Sequence, residues 1–117
     1  MRNSFWETAL VAPLLMSFII GTALTTTFAQ DEATEDLGKQ VFTTEAAPNC
    51  GICHTLADAG AVGEIGPNLD DLMPSEERVR AAVLGGFEAM PSYEGVLTPE
   101  QIDAVAAYVA EVAGTGG

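Results

Sequence analysis

Both cysteines of the chain and its one histidine fall within five residues, Cys50-Gly51-Ile52-Cys53-His54. Two thiols about one turn apart can each add to one of the two vinyl groups of a haem. A histidine directly after them then lies under the iron and ligates it. This spacing is the attachment signature of a c-type haem. Three other chemistries use paired cysteines, and each fits less well. A thioredoxin-like dithiol needs a βαβ context, which the chain does not offer. A structural zinc site takes four ligands, and two Cys and one His leave it one short. A disulfide between Cys50 and Cys53 would close almost no loop, so it would stabilise little, and it gives His54 no role.

A single haem iron has two axial positions, of which His54 fills one. With no second histidine, the other falls to a methionine, and Met73 and Met90 are the two downstream of the motif. Thioether sulfur suits haem iron and raises its potential. Met90 is favoured. It sits in Gly85-Gly86-Phe87-Glu88-Ala89-Met90-Pro91-Ser92-Tyr93, a Gly-rich loop with the freedom to lay a side chain on the haem face. Met73, in Leu72-Met73-Pro74, is read as core filler.

Three helical stretches are available to position these groups. The first is expected over roughly 34–44, with Thr34 as cap, Glu35 and Asp36 in the first turn, and Leu37, Val41 and Phe42 on one face. Gly38 inside it costs about 1 kcal/mol against Ala, which suggests close packing of another backbone there. Residues 30–33 are acidic and expected to fray. The second runs from Ser75 to Leu84, stopped by Gly85-Gly86. The third is the clearest: Thr98 caps, Pro99 starts, and Gln101 completes a capping box. Ile102, Val105, Ala106, Val109, Val112 and Ala113 then repeat with helical period. No alternating strand is read, and 55–74 and 85–97 are expected to be irregular. The fold class is all-α.

From Thr8 to Ala29 no residue is charged, and the stretch ends in Thr27-Phe28-Ala29 after an apolar run broken by Pro13. Residues 1–29 are therefore expected to be a secretory signal peptide cut after Ala29. The run is shorter than the ~20 apolar residues of a membrane span, so membrane association would follow only from a retained leader. The mature domain is then 30–117, placed in the periplasm. Its cations are Lys39, Arg78 and Arg80, and the chain's net charge is −13. So acidic a chain does not bind nucleic acid through phosphates. It is drawn instead to basic protein surfaces, and the same charge would also serve solubility in a saline habitat. A domain of this size has a marginal core, which a bound haem would complete.

Taken together these residues resemble class I, monohaem cytochrome c over nearly all of 30–117. The resemblance rests on Gly38 and Phe42, Cys50–His54, Gly66-Pro67-Asn68-Leu69, Met90-Pro91 and a final helix with Tyr108. It implies a cytochrome c fold: three to four short helices around one covalent haem c, with N- and C-terminal helices crossing at Gly38. It implies cofactor binding by Cys50, Cys53, His54, Pro67 and Met90. His54 and Met90 would be the iron ligands, and the Pro67 carbonyl would accept a hydrogen bond from His54. The implied role is one-electron transfer rather than catalysis, with Asp58, Glu64, Asp70, Asp71 and Glu88 as solvated surface.

Departures from the mitochondrial pattern point to a shorter bacterial form. The chain's one tryptophan, Trp6, lies in the leader, so a haem carboxylate would be met by Tyr93, Arg78 or Arg80. The lysine ring common around the haem edge is missing. More narrowly, Cys53–Leu56, Asp58–Ala61 and Gly66–Leu72 resemble small cytochromes paired with bacterial sulfite dehydrogenases. That implies a molybdenum enzyme as electron donor. Two other roles stay open at this point: an obligate haem subunit of an oxidoreductase, and a ligand-binding or peroxidase-like haem protein.

Overall fold

Good helix formers such as Gln30, Glu32, Ala33 and Glu35 precede and surround Thr34, and the first helix starts well before that threonine. The computed structural model describes residues 26–116, and helix α1 covers Thr26–Gln40. Residues 30–33 are thus helical rather than frayed, and Thr34 is no cap. Its hydroxyl donates to the Gln30 carbonyl, one turn back, at 2.8 Å. This back-bonding lets a threonine sit inside a helix. The leader expected over 1–29 lies almost wholly outside the described residues. Among the described residues no helix is long and apolar enough to cross a membrane.

At Val41 the helix widens into a π-turn, Val41–Glu45, closed by the Ala46 N–H on the Val41 carbonyl at 3.1 Å. Val41 and Phe42 are fully buried there. The last helix, α4 (Pro99–Val112), carries the capping box read from sequence. The Gln101 N–H donates to the Thr98 hydroxyl at 3.2 Å, and the Thr98 N–H donates to the Gln101 side-chain oxygen at 2.9 Å. Its buried residues are Ile102, Ala104, Val105, Ala106, Tyr108, Val109 and Val112.

Helix α1 packs on α4 at Gly38. A Cβ there would run into the Ala104 carbonyl oxygen and the Tyr108 Cβ. The close backbone approach suggested by that costly glycine is therefore present. Phe42 meets Tyr108 edge-on beside it, with ring centroids 6.2 Å apart and planes at 64°. This is a favoured aromatic arrangement.

Between these helices lie two shorter ones. Helix α3 (Glu76–Gly85) has Ser75 as its cap, accepting from the Arg78 N–H, and ends at Gly86 with φ 70°. Helix α2 (Leu69–Leu72) is a single turn inside the stretch read as irregular. Asn68 caps it by accepting from the Asp70 N–H, and Met73 ends it in the left-handed region at φ 43°. Four residues are too few to show a 3.6-residue period, although Asn68-Leu69-Asp70 has the composition of a helix start. The same reason hid two tiny strands, β1 (Thr55–Leu56) and β2 (Ala61–Val62), which pair antiparallel. Among the described residues the regular elements are helical apart from that pair and two isolated bridges, Phe87 with Met90 and Glu94 with Leu97.

The β1–β2 loop is tied down by side chains that sequence placed on the solvated surface. Asp58 accepts from the Tyr108 hydroxyl at 2.5 Å and pairs with Lys39 at 3.0 Å. Asp70 accepts from the Ala57 N–H at 2.8 Å and the Gly114 N–H at 3.0 Å. Both carboxylates are therefore structural pins, because each finds donors on elements distant in sequence.

Candidate functional site: an apolar cavity between Cys50–His54 and the Met90 turn

The segment bearing the two cysteines is a single 3₁₀ turn, Cys50–Ile52, begun by Asn49, whose side-chain oxygen accepts the Ile52 N–H at 3.1 Å. The Cys50 carbonyl then accepts the N–H groups of Cys53 at 3.1 Å and His54 at 2.9 Å. This winding sets the two sulfurs and the imidazole on one side. Burial pushes the Cys50 thiol up to about 11, so it stays protonated at neutral pH. Reactive dithiols and zinc-binding cysteines need the opposite shift. Among the described residues no three His, Cys, Asp or Glu side chains come together to hold a metal ion.

His54 is held from behind. Its Nδ1 lies 2.9 Å from the Pro67 carbonyl oxygen. A carbonyl can only accept, so Nδ1 carries a proton, and in the neutral ring Nε2 keeps its lone pair. That nitrogen is a ready metal ligand, and the bond behind it fixes the ring's orientation. Two glycines make room for this packing. A Cβ at Gly66 would lie 2.5 Å from His54 Cε1, and one at Gly63 would lie 2.5 Å from the Ile52 carbonyl oxygen and 2.7 Å from the His54 backbone nitrogen. The Gly66 contact falls within the Gly66–Leu69 match seen in the sequence. Gly63 was missed, since its neighbours are ten residues away and no local pattern marks it.

Across from His54, Met90 is presented by a tight turn. Phe87 and Met90 exchange both backbone hydrogen bonds, at 3.1 and 2.8 Å, and Glu88 between them adopts φ 51°. Gly86 makes the turn fit, because a Cβ there would lie 2.7 Å from the Met90 carbonyl oxygen. The loop is not slack, as its glycines suggested. One glycine ends α3 and allows a close approach.

Cys50, Cys53, His54, Pro67 and Met90 all line one cavity of about 650 Å³, within the ~300–1,000 Å³ of small-molecule and cofactor sites. Phe42, Leu69, Val79, Val83, Val105 and Val109 give it apolar walls. Met73 is not in the lining; it is 66% exposed and its sulfur lies by Gly114 instead. Of the three residues offered for a haem carboxylate, Arg78 and Tyr93 line the cavity. Arg80 is engaged on the surface by Glu76 at 2.9 Å and Asp103 at 2.8 Å. The Tyr93 hydroxyl donates to the Pro48 carbonyl at 2.6 Å, a contact sequence gave no sign of. An apolar chamber with a thiol pair, an imidazole nitrogen and a thioether fits a haem.

Comparison with known proteins agrees with that chemistry. The family model described as "Cytochrome C oxidase, cbb3-type, subunit III" matches residues 33–109. Cytochrome c6 of a Nostoc species is 37% identical over 76 residues, which cover 62% of this chain. The chain spans 65% of the length of that relative. The crystal structure of the c-type cytochrome SorU from Sinorhizobium meliloti superposes with a TM-score of 0.69 at 54% identity, covering 71% of this chain and 94% of SorU.

Proposed function

This chain belongs to the family described as cytochrome c oxidase, cbb3-type, subunit III, and from that premise we propose that it is a one-electron carrier whose iron is held by His54 and Met90. The family's cofactor is a covalently bound haem c, and Cys50-Gly51-Ile52-Cys53-His54 is consistent with its attachment sequence. The bound haem supplies a single-electron Fe(III)/Fe(II) couple. Cys50 and Cys53 would form the thioethers, His54 Nε2 and the Met90 sulfur would be the axial ligands, and Arg78 would meet a haem carboxylate.

The observation that carries this reading is the pairing of His54 and Met90 in one apolar cavity, with His54 Nδ1 tied to Pro67. The Pro67 carbonyl keeps the imidazole in one tautomer and one orientation. The Phe87–Met90 turn fixes the thioether's origin. Valines and leucines line the cavity, so a bound haem would meet largely apolar walls. Helices α1 and α4, meeting at Gly38, would cross as the first and last helices of a class I cytochrome c do, and the chain would wrap the haem between them and α3.

The leader-like segment 1–29 supports export to the periplasm. The charge of −13 supports redox partners with basic docking surfaces. The segments Cys53–Leu56, Asp58–Ala61 and Gly66–Leu72 support a molybdenum sulfite dehydrogenase as donor. The description of the matching family as an oxidase subunit favours a second reading, a fixed subunit of an oxidoreductase. Size-exclusion of the native periplasmic fraction separates the two, by elution near the chain's own mass or with a larger complex.

Carbon monoxide tests the ligand set. With His54 and Met90 both bound, the reduced protein should show no spectral change under CO at neutral pH. Ready CO binding would instead make this a ligand-binding or peroxidase-like haem protein.

A further inference from the structure

Tyr93 lies three residues beyond Met90 and is 4% exposed. Its backbone N–H donates to the Val83 carbonyl on α3 at 2.9 Å. Its hydroxyl crosses to the other side of the cavity and donates to the Pro48 carbonyl at 2.6 Å. Pro48 stands two residues before Cys50, so this one side chain joins the Met90 segment to the segment that bears the cysteines. Ser92 adds a second tie on the near side only, its hydroxyl donating to the Leu84 carbonyl at 2.5 Å. Burial raises the Tyr93 phenol above its ordinary range, so it remains a donor throughout neutral pH.

We propose that Tyr93 is a positioning residue that latches the Met90 turn against the Pro48–Cys50 segment and so keeps the sixth iron position closed to outside ligands. This rests on the reading of Met90 as the axial ligand. Any added ligand must displace the Met90 sulfur, and the turn that carries it must swing out of the cavity. Moved with the turn, Tyr93 would leave the Pro48 carbonyl without its donor. The hydroxyl bond is therefore made in the closed state and lost in the open one, and it sets part of the closing equilibrium. A bond made equally in both states would shift nothing.

The test is imidazole titration of the oxidised haem-bearing protein, followed in the Soret band, for wild type, Tyr93→Phe and Thr98→Ala. Thr98→Ala removes a helix cap remote from the Met90 turn and so reports general destabilisation alone. Tyr93→Phe keeps the ring and its packing and loses one hydrogen bond. We expect it to bind imidazole about three- to tenfold more tightly than wild type, the worth of one such bond, with Thr98→Ala unchanged. Equal affinity in Tyr93→Phe and wild type overturns the latch. So does an equal gain in both variants, which would mark Tyr93 as merely structural. The wild type's far-red iron–thioether band separates the two failures: if it is missing, the Met90 reading itself falls, whereas a band with no latch effect removes only the role of Tyr93.

Discussion

Gly38 and Gly66 show how single atoms decide this molecule. At Gly66 a Cβ would press on the His54 ring, and at Gly38 it would press on the Ala104 carbonyl oxygen and on the Tyr108 Cβ. For Gly38→Ala two effects compete. Alanine in a helix gains about 1 kcal/mol over glycine. Forcing a methyl into a packed interface costs about 1–3 kcal/mol. The obstacle here includes backbone, which cannot rotate away, so the clash should win. Thermal unfolding of Gly38→Ala is expected at a lower midpoint than wild type; a higher midpoint would mean that α1 and α4 do not approach at this glycine. Much at this scale was legible in the sequence. Cys50, Cys53 and His54 are local in the chain and their spacing alone implies the cofactor. Gly38 stood out because a helix former would be cheaper. The Tyr93–Pro48 bond was not legible, since it joins residues 45 apart and each has an ordinary local reading.

The two later helices, capped by Ser75 and Thr98, were read to within a residue or two, as Glu76–Gly85 and Pro99–Val112 show, whereas the first was placed about two turns late because Thr34, a cap by type, sits inside Thr26–Gln40. The elements that escaped were the one-turn helix at Leu69–Leu72 and the two-residue strands, whose lengths fall below one pattern repeat. What fixes those small elements is the pair of pinning carboxylates. Asp58 links the β1–β2 loop to α4 through Tyr108 and to α1 through Lys39. The Tyr108 hydrogen bond, and then that from Lys39, hold the Asp58 carboxyl below its usual range. Burial, and then the bond to Asp58, push the Tyr108 phenol well above its own. The signs follow. Asp58, depressed on folding, contributes stability that is complete above its unfolded value near ~4 and is lost as pH falls through the folded value. Tyr108, raised on folding, contributes stability that is complete below its unfolded value near ~10 and is lost as pH rises. Denaturant midpoints should therefore form a plateau between those limits and fall on both sides. In Asp58→Asn the acid-side fall should weaken; an acid limb identical to wild type would remove Asp58 from the account.

At the scale of the whole molecule, the cavity lined by Cys50, Cys53, His54 and Met90 belongs to a strongly acidic chain. Its net charge of −13 acts beyond contact distance on partners, and salt screens such attraction over ~10 Å at 0.1 M. Stopped-flow reduction or oxidation by a basic redox protein should slow as ionic strength rises. A flat or rising dependence would leave the charge to solubility alone. The all-α class was legible from helical periodicity and the lack of an alternating strand, and the haem motif names what would complete a marginal core. The central claim remains that this core closes around an iron held by His54 and Met90. Its most direct test is the far-red absorption of the oxidised protein, measured for wild type and Met90→Ala at matched haem content. The wild type should show the iron–thioether band and Met90→Ala should lose it while keeping its haem. A band that survives in Met90→Ala would move the ligand to Met73 and contradict the account.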